Sequence, residues 1–177
     1  KRKPDIHAAR TIYCGSLSKT LAPGLRMGWV CASEDVISKL VLMKQASDLH
    51  SSTINQIAVT EVVAQGFYDH VETLRTTYRT RRDAMLKALE TYMPEGVSWK
   101  TPDGGMFLWL TLPEGTNGTD LLATSLKTQK VAFVPGSAFF PDRSGENTIR
   151  LSFSTSSIAN INEGISRLGR LLREIAA

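Results

Sequence analysis

Tyr13-Cys14-Gly15-Ser16-Leu17-Ser18-Lys19-Thr20-Leu21-Ala22-Pro23-Gly24-Leu25-Arg26-Met27-Gly28-Trp29 sets a lysine beside small hydroxyls and a glycine, then returns an arginine after a Pro-Gly corner. A phosphate ester carrying about two negative charges is well held by hydroxyl and backbone donors together with the planar fork of an arginine. An aldehyde is captured by an amine able to form a Schiff base. One loop offers both sets of groups. The residues predict a short strand over Thr11–Cys14, a turn over Gly15–Lys19, and a tight corner at Pro23-Gly24. A second strand, rich in Met, Trp and Val, follows over Leu25–Ala32. A lysine at the end of a buried strand is expected to be desolvated, the state in which an amine becomes a nucleophile.

Similar residues occur in other motifs, and each of those needs more than is present. Gly15–Thr20 approaches the end of a P-loop, which requires Gly directly before the Lys, where Ser18 stands. Ser16-Leu17-Ser18-Lys19 fits the S-x-x-K signature of a serine nucleophile. Its companions S-D-N and K-T-G are missing, the nearest fragments being Ser47-Asp48-Leu49 and Lys100-Thr101-Pro102. The plain alternative for Lys19 is a surface lysine near a turn.

Outward from this loop, Ser33 suits a helix N-cap, with Glu34 and Asp35 in the first turn and the helix continuing to about Ala46. Ser47–Asn55 reads as a polar loop, and Ile57–Val63 as a helix broken near Gly66. Val71, Leu74, Tyr78, Met85, Leu89 and Tyr92 recur at helical steps, predicting a long amphipathic helix with a basic outer face, ended by Pro94 and Gly96. Met106–Leu112 is almost continuously apolar, as a strand covered on both faces would be. A helix over Asp120–Lys130 and a strand over Val131–Val134 come next. Thr148–Ser154 alternates, with Ile149, Leu151 and Phe153 on one face and Arg150, Ser152 and Ser154 on the other. That polar face makes Arg150 a candidate for bidentate carboxylate recognition. A closing amphipathic helix carries Ile158, Ile161, Ile165, Leu168, Leu172 and Ile175.

The 177 residues, 42% hydrophobic with a net charge of +4, suffice for one ordinary domain or two small ones. No apolar run approaches the roughly 20 residues that cross a bilayer. The Arg75–Arg82 run reads as a solvated helix face, and no aromatic-basic interleaving supports nucleic-acid binding. Cys14 and Cys31 read as reduced core thiols of a cytoplasmic protein. His7, His50 and His70 are too widely spaced to suggest zinc.

The Tyr13–Trp29 segment closely resembles the pyridoxal-phosphate lysine segment of fold-type I aminotransferases. Pro102-Asp103-Gly104-Gly105-Met106-Phe107-Leu108-Trp109, Ala132–Phe140 and Asn147–Ser154 resemble further segments of that family, in family order and spacing. The branch that includes α-aminoadipate and kynurenine aminotransferases is the most similar. The resemblance implies Lys19 as the Schiff-base lysine and Ser16, Ser18 and Arg26 as phosphate ligands. It implies Arg150 as the clamp on the substrate α-carboxylate. It also implies pyridoxal 5'-phosphate as cofactor, amino acid and 2-oxo acid substrates, and a homodimer in which the His50–Asn55 loop approaches the partner's cofactor site.

The implied fold is α/β: residues 1–70 as the C-terminal portion of a large domain with a mixed, mostly parallel sheet, and 71–177 as a connecting helix and a small α+β domain. In the family, the Asp that pairs with the pyridine nitrogen precedes the lysine by some thirty residues or more, and Asp5 and Tyr13 stand too close to Lys19 for such roles. The chain also begins with Lys1. It is therefore expected to be a C-terminal piece, inactive when isolated. An alternative implied by the same resemblance is the aminotransferase-like effector domain of a winged-helix transcription regulator.

Overall fold

In the computed structural model, which describes residues 10–142 and 144–176, Tyr13–Ser16 (β1) and Gly28–Cys31 (β2) pair antiparallel, from Tyr13↔Cys31 to Ser16↔Gly28. Gly15 lies opposite Trp29, and a Cβ at Gly15 would overlap the indole ring. The glycine thus makes room for an aromatic that also packs against Tyr13, at 5.1 Å between ring centroids. Glu34–Ser47 (α1) follows, with Ser33 in extended conformation at its N-cap and Glu34 and Asp35 favourably placed against the helix dipole. The helix Thr53–Tyr92 (α2) runs to the C-terminal part of the chain, interrupted where Gly66 leaves helical dihedrals.

The chain divides into two compact units between Leu74 and Arg75. In the second, Ser98–Trp99 (β3), Phe107–Thr111 (β4), Val134–Pro135 (β5) and Thr148–Ser152 (β6) form one antiparallel sheet in the order β3-β4-β6-β5. Gly118–Thr128 (α3) and Ile158–Ala176 (α4) complete it. Period-two alternation sends Leu108, Leu110, Ile149 and Leu151 to one face of the sheet, where they are buried with Met85, Ala88 and Leu89 of α2 and Ile161, Ile165, Leu168 and Leu172 of α4. Each fully buried apolar side chain of this kind contributes roughly 1.5–3 kcal/mol.

Several expectations change. Among the described residues of the first unit, the strands pair with each other and antiparallel, so the parallel pairing is not seen there. Its β1 is exposed rather than buried, Cys14 is exposed, and Cys31 is half-buried, so neither thiol is a core residue. Among its described residues the first unit buries almost no apolar side chain: Val41, Leu42, Met43, Ile54 and Ile57 are all exposed. The polar loop is shorter than Ser47–Asn55, because α2 already begins at Thr53. In β4 only Leu108 and Leu110 are fully buried, and Trp109 is exposed. The run is continuously apolar because the opposite face carries Phe107 and Trp109. The basic face of α2 is not simply solvated either. Arg81 Nη1 donates to the Ser154 carbonyl and Arg82 Nη1 to the Pro102 carbonyl, the latter at 3.1 Å.

Candidate functional site

Two groups of residues carry chemistry, one in each unit. In the first, the chain leaves β1 at Ser16 and returns through a single 3₁₀ turn, Pro23–Leu25, into β2. The amide of Leu17 donates to the Met27 carbonyl at 3.1 Å, so the outgoing and returning arms lie side by side beyond the strand ends. Ser16 Oγ accepts from the Ser18 amide at 3.2 Å, which bends the chain and leaves the Ser16 hydroxyl proton free to donate.

Arg26 sits in the left-handed region, φ 51°, ψ 42°, which is uncommon for a residue with a Cβ. Three local bonds hold the turn there. The Arg26 amide and its Nη1 both donate to the Pro23 carbonyl, at 3.3 and 3.2 Å, and Asn55 Nδ2 of α2 donates to the Leu25 carbonyl at 3.0 Å. A non-glycine residue pinned in this conformation is a common mark of a functional loop. Lys19, in the loop that joins the two arms, is exposed, not desolvated as expected from the sequence. The loop therefore presents an amine, two hydroxyls and an arginine with donors to spare, a set chemically suited to a phosphate-bearing aldehyde. Asn55, named in the sequence only as part of a loop, turns out to be a helix residue that braces the arginine turn.

In the second unit, Arg150 lies on β6 opposite Trp109 of β4 and Val134 of β5. Its guanidinium carbon lies 4.1 Å from the centroid of the Phe107 ring and 4.4 Å from that of Phe139. Trp109 meets Phe139 edge to face at 5.3 Å. Arg150 Nε is buried and has no hydrogen-bond partner among the described residues. A buried donor without an acceptor costs on the order of 1–3 kcal/mol, which makes it a marker of a ligand group that accepts. Ser152 does not supply that acceptor; its hydroxyl is 3.0 Å from that of Ser154. The resemblance placed Phe107 and Phe139 in cleft-lining segments, and the sequence did not reveal their contact with Arg150. Alternation put Phe107 on the Arg150 face, but nothing local announced that Phe139, on the turn Gly136–Phe139, folds back over it.

The sequence profile of the family described as aminotransferase class I and II matches residues 2–168. Aromatic-amino-acid aminotransferase 1 of Thermococcus litoralis is 46% identical over 166 residues, covering 93% of this chain and 40% of that protein. The crystal structure of LysN, the α-aminoadipate aminotransferase of Thermus thermophilus complexed with N-(5'-phosphopyridoxyl)-L-leucine, matches with a TM-score of 0.89 and 44% identity, over 93% of this chain and 42% of its own. An uncharacterized HTH-type transcriptional regulator of Bacillus subtilis, YdfD, is 36% identical over 94% of this chain and 34% of its own length. The expected α/β transferase fold is borne out. The chain spans about two fifths of the length of the aminotransferases it matches.

Proposed function

This chain belongs to the class I and II aminotransferase family, and on that premise we propose that it contributes the lysine-bearing loop and the small domain of a pyridoxal-phosphate-dependent transaminase. The reaction moves an amino group from an amino acid to a 2-oxo acid. The observation that carries the reading is the Ser16–Arg26 loop: an exposed amine, two hydroxyls, and an arginine locked in left-handed backbone by the Pro23 carbonyl and braced through Asn55.

The cofactor, when bound, supplies an aldehyde for the amine and a ring that draws electrons from the substrate α-carbon. Ser16, Ser18 and Arg26 would hold its phosphate, with the Arg26 fork set against the phosphate charge. With the cofactor bound, Lys19 Nζ would hold its aldehyde carbon and, once displaced by the substrate's amino group, would take the proton from the substrate α-carbon and deliver it to the carbon on the other side of the shared nitrogen. Arg150 donates to the α-carboxylate, and its buried Nε supports this by having an acceptor still to find. The exposed apolar side chains of the first unit favour a homodimer as the working assembly, and the free thiols of Cys14 and Cys31 agree with a cytoplasmic setting. Among the described residues no helix is long and apolar enough to cross a membrane.

The test is borohydride reduction after incubation with pyridoxal phosphate, followed by peptide mapping. The phosphopyridoxyl mass is expected on Lys19 and is lost in Lys19→Ala. A label on another lysine, or none, removes the reading. Release of a 2-oxo acid from an added amino acid separates an enzyme from a regulator that merely binds the cofactor. Because the chain spans two fifths of its relatives, the 177 residues alone are expected to take the label without turning over.

A further inference from the structure

The way Arg150 is held differs from the usual way proteins hold a half-buried arginine. Such a side chain is ordinarily fixed by an acid, and no ion pair involves Arg150 among the described residues. An acid at this place would compete with any carboxylate ligand for the same donors. Two ring faces do the fixing instead, at 4.1 and 4.4 Å from the guanidinium carbon. They arrive from either side of β6: Phe107 from the neighbouring β4, and Phe139 from the turn that follows the other neighbour, β5. An aromatic face attracts a cation through its ring quadrupole and uses none of the cation's N–H groups. Trp109, edge-on to Phe139, limits how that ring can turn.

We infer that Phe139, together with Phe107, is a positioning residue that sets the plane of the Arg150 guanidinium and leaves its donors free for an incoming carboxylate. Ordering of the arginine is then complete before the ligand arrives, and binding loses less entropy. The inference rests on the carboxylate-holding role proposed for Arg150. It differs from a lining role, in which the rings touch only the ligand's apolar part.

Calorimetric titration of the cofactor-loaded protein with 3-phenylpropionate and with its uncharged twin, 3-phenylpropionamide, separates the two. The measured quantity is the preference for acid over amide. Arg150→Ala is expected to abolish the preference. Phe139→Leu should reduce it about fivefold by weakening the acid alone, Phe139→Tyr should retain it, and Phe139→Leu added to Arg150→Ala should change nothing further. Phe139 is 46% exposed, so leucine there leaves the core intact, and Phe107→Leu gives the same reading should the first variant not fold. Equal loss of acid and amide affinity in Phe139→Leu would make the ring a lining residue and overturn the inference. Arg150→Ala that keeps the preference, or a wild type that lacks one, would remove the carboxylate role itself and the inference with it.

Discussion

At the scale of single residues, the constraints that matter are close approaches. Gly136 lies against Thr148, whose hydroxyl donates to the Gly145 carbonyl at 2.7 Å and so cannot easily swing aside. A Cβ at position 136 would overlap the Thr148 side chain and press on its carbonyl. Gly136→Ala is expected to lower stability by about 1–3 kcal/mol in a urea titration. Gly104→Ala, facing open space, serves as the control and should stay near the wild type. A midpoint for Gly136→Ala equal to that of Gly104→Ala would contradict this packing. Pro135-Gly136 is a pair that favours a turn, but nothing in the sequence announced that Thr148 is the reason for its glycine. The contact joins residues twelve apart across a strand pair.

At the scale of elements, local signals were legible where the bond that satisfies them is also local. Asn117 caps α3 by accepting from the Thr119 amide at 2.9 Å and the Asp120 amide at 3.3 Å. Ser33 occupies the same place before α1 and makes no such side-chain bond. The sequence marked Ser33 as a good cap and passed over Asn117, because residue type alone does not say whether the side chain turns toward the helix. Asn117→Ala is therefore expected to cost about 0.5–2 kcal/mol, and Ser33→Ala close to nothing. Thermal melts of the two variants decide it, and the reverse ranking would refute the assignment. The end of α2 shows the opposite limit. Its last carbonyl, Tyr92, is met by Arg173 Nη1 of α4 at 2.6 Å, and Gly169 lets that carbonyl approach. Pro94 and Gly96 announced where the helix stops, and only the fold shows what satisfies its end.

At the scale of the whole chain, the two units differ in how they are held. The second carries a continuous buried cluster from Met85 to Leu172, and among the described residues of the first Ala32 is the buried hydrophobic side chain. Hydrogen exchange should follow that difference. Amides of Leu108, Leu110, Ile149 and Leu151 are expected to exchange slowest, with those of β1 and β2 faster by orders of magnitude in the isolated chain. Uniform protection across both units would contradict this. The order of most elements, the turn that carries Lys19, and the polar face bearing Arg150 were readable from the residues, and the fold class from the family resemblance. The elements rest on short-range patterns: a turn dipeptide, a period of two, or a period near 3.6. Burial of β1, the environment of Cys14 and the fate of the Arg81-Arg82 pair were misjudged, because they depend on which surfaces meet. An apolar stretch records that a residue can be buried. Whether it is buried depends on neighbours distant in sequence, and so does the aromatic pair around Arg150, which only the tertiary structure brings together.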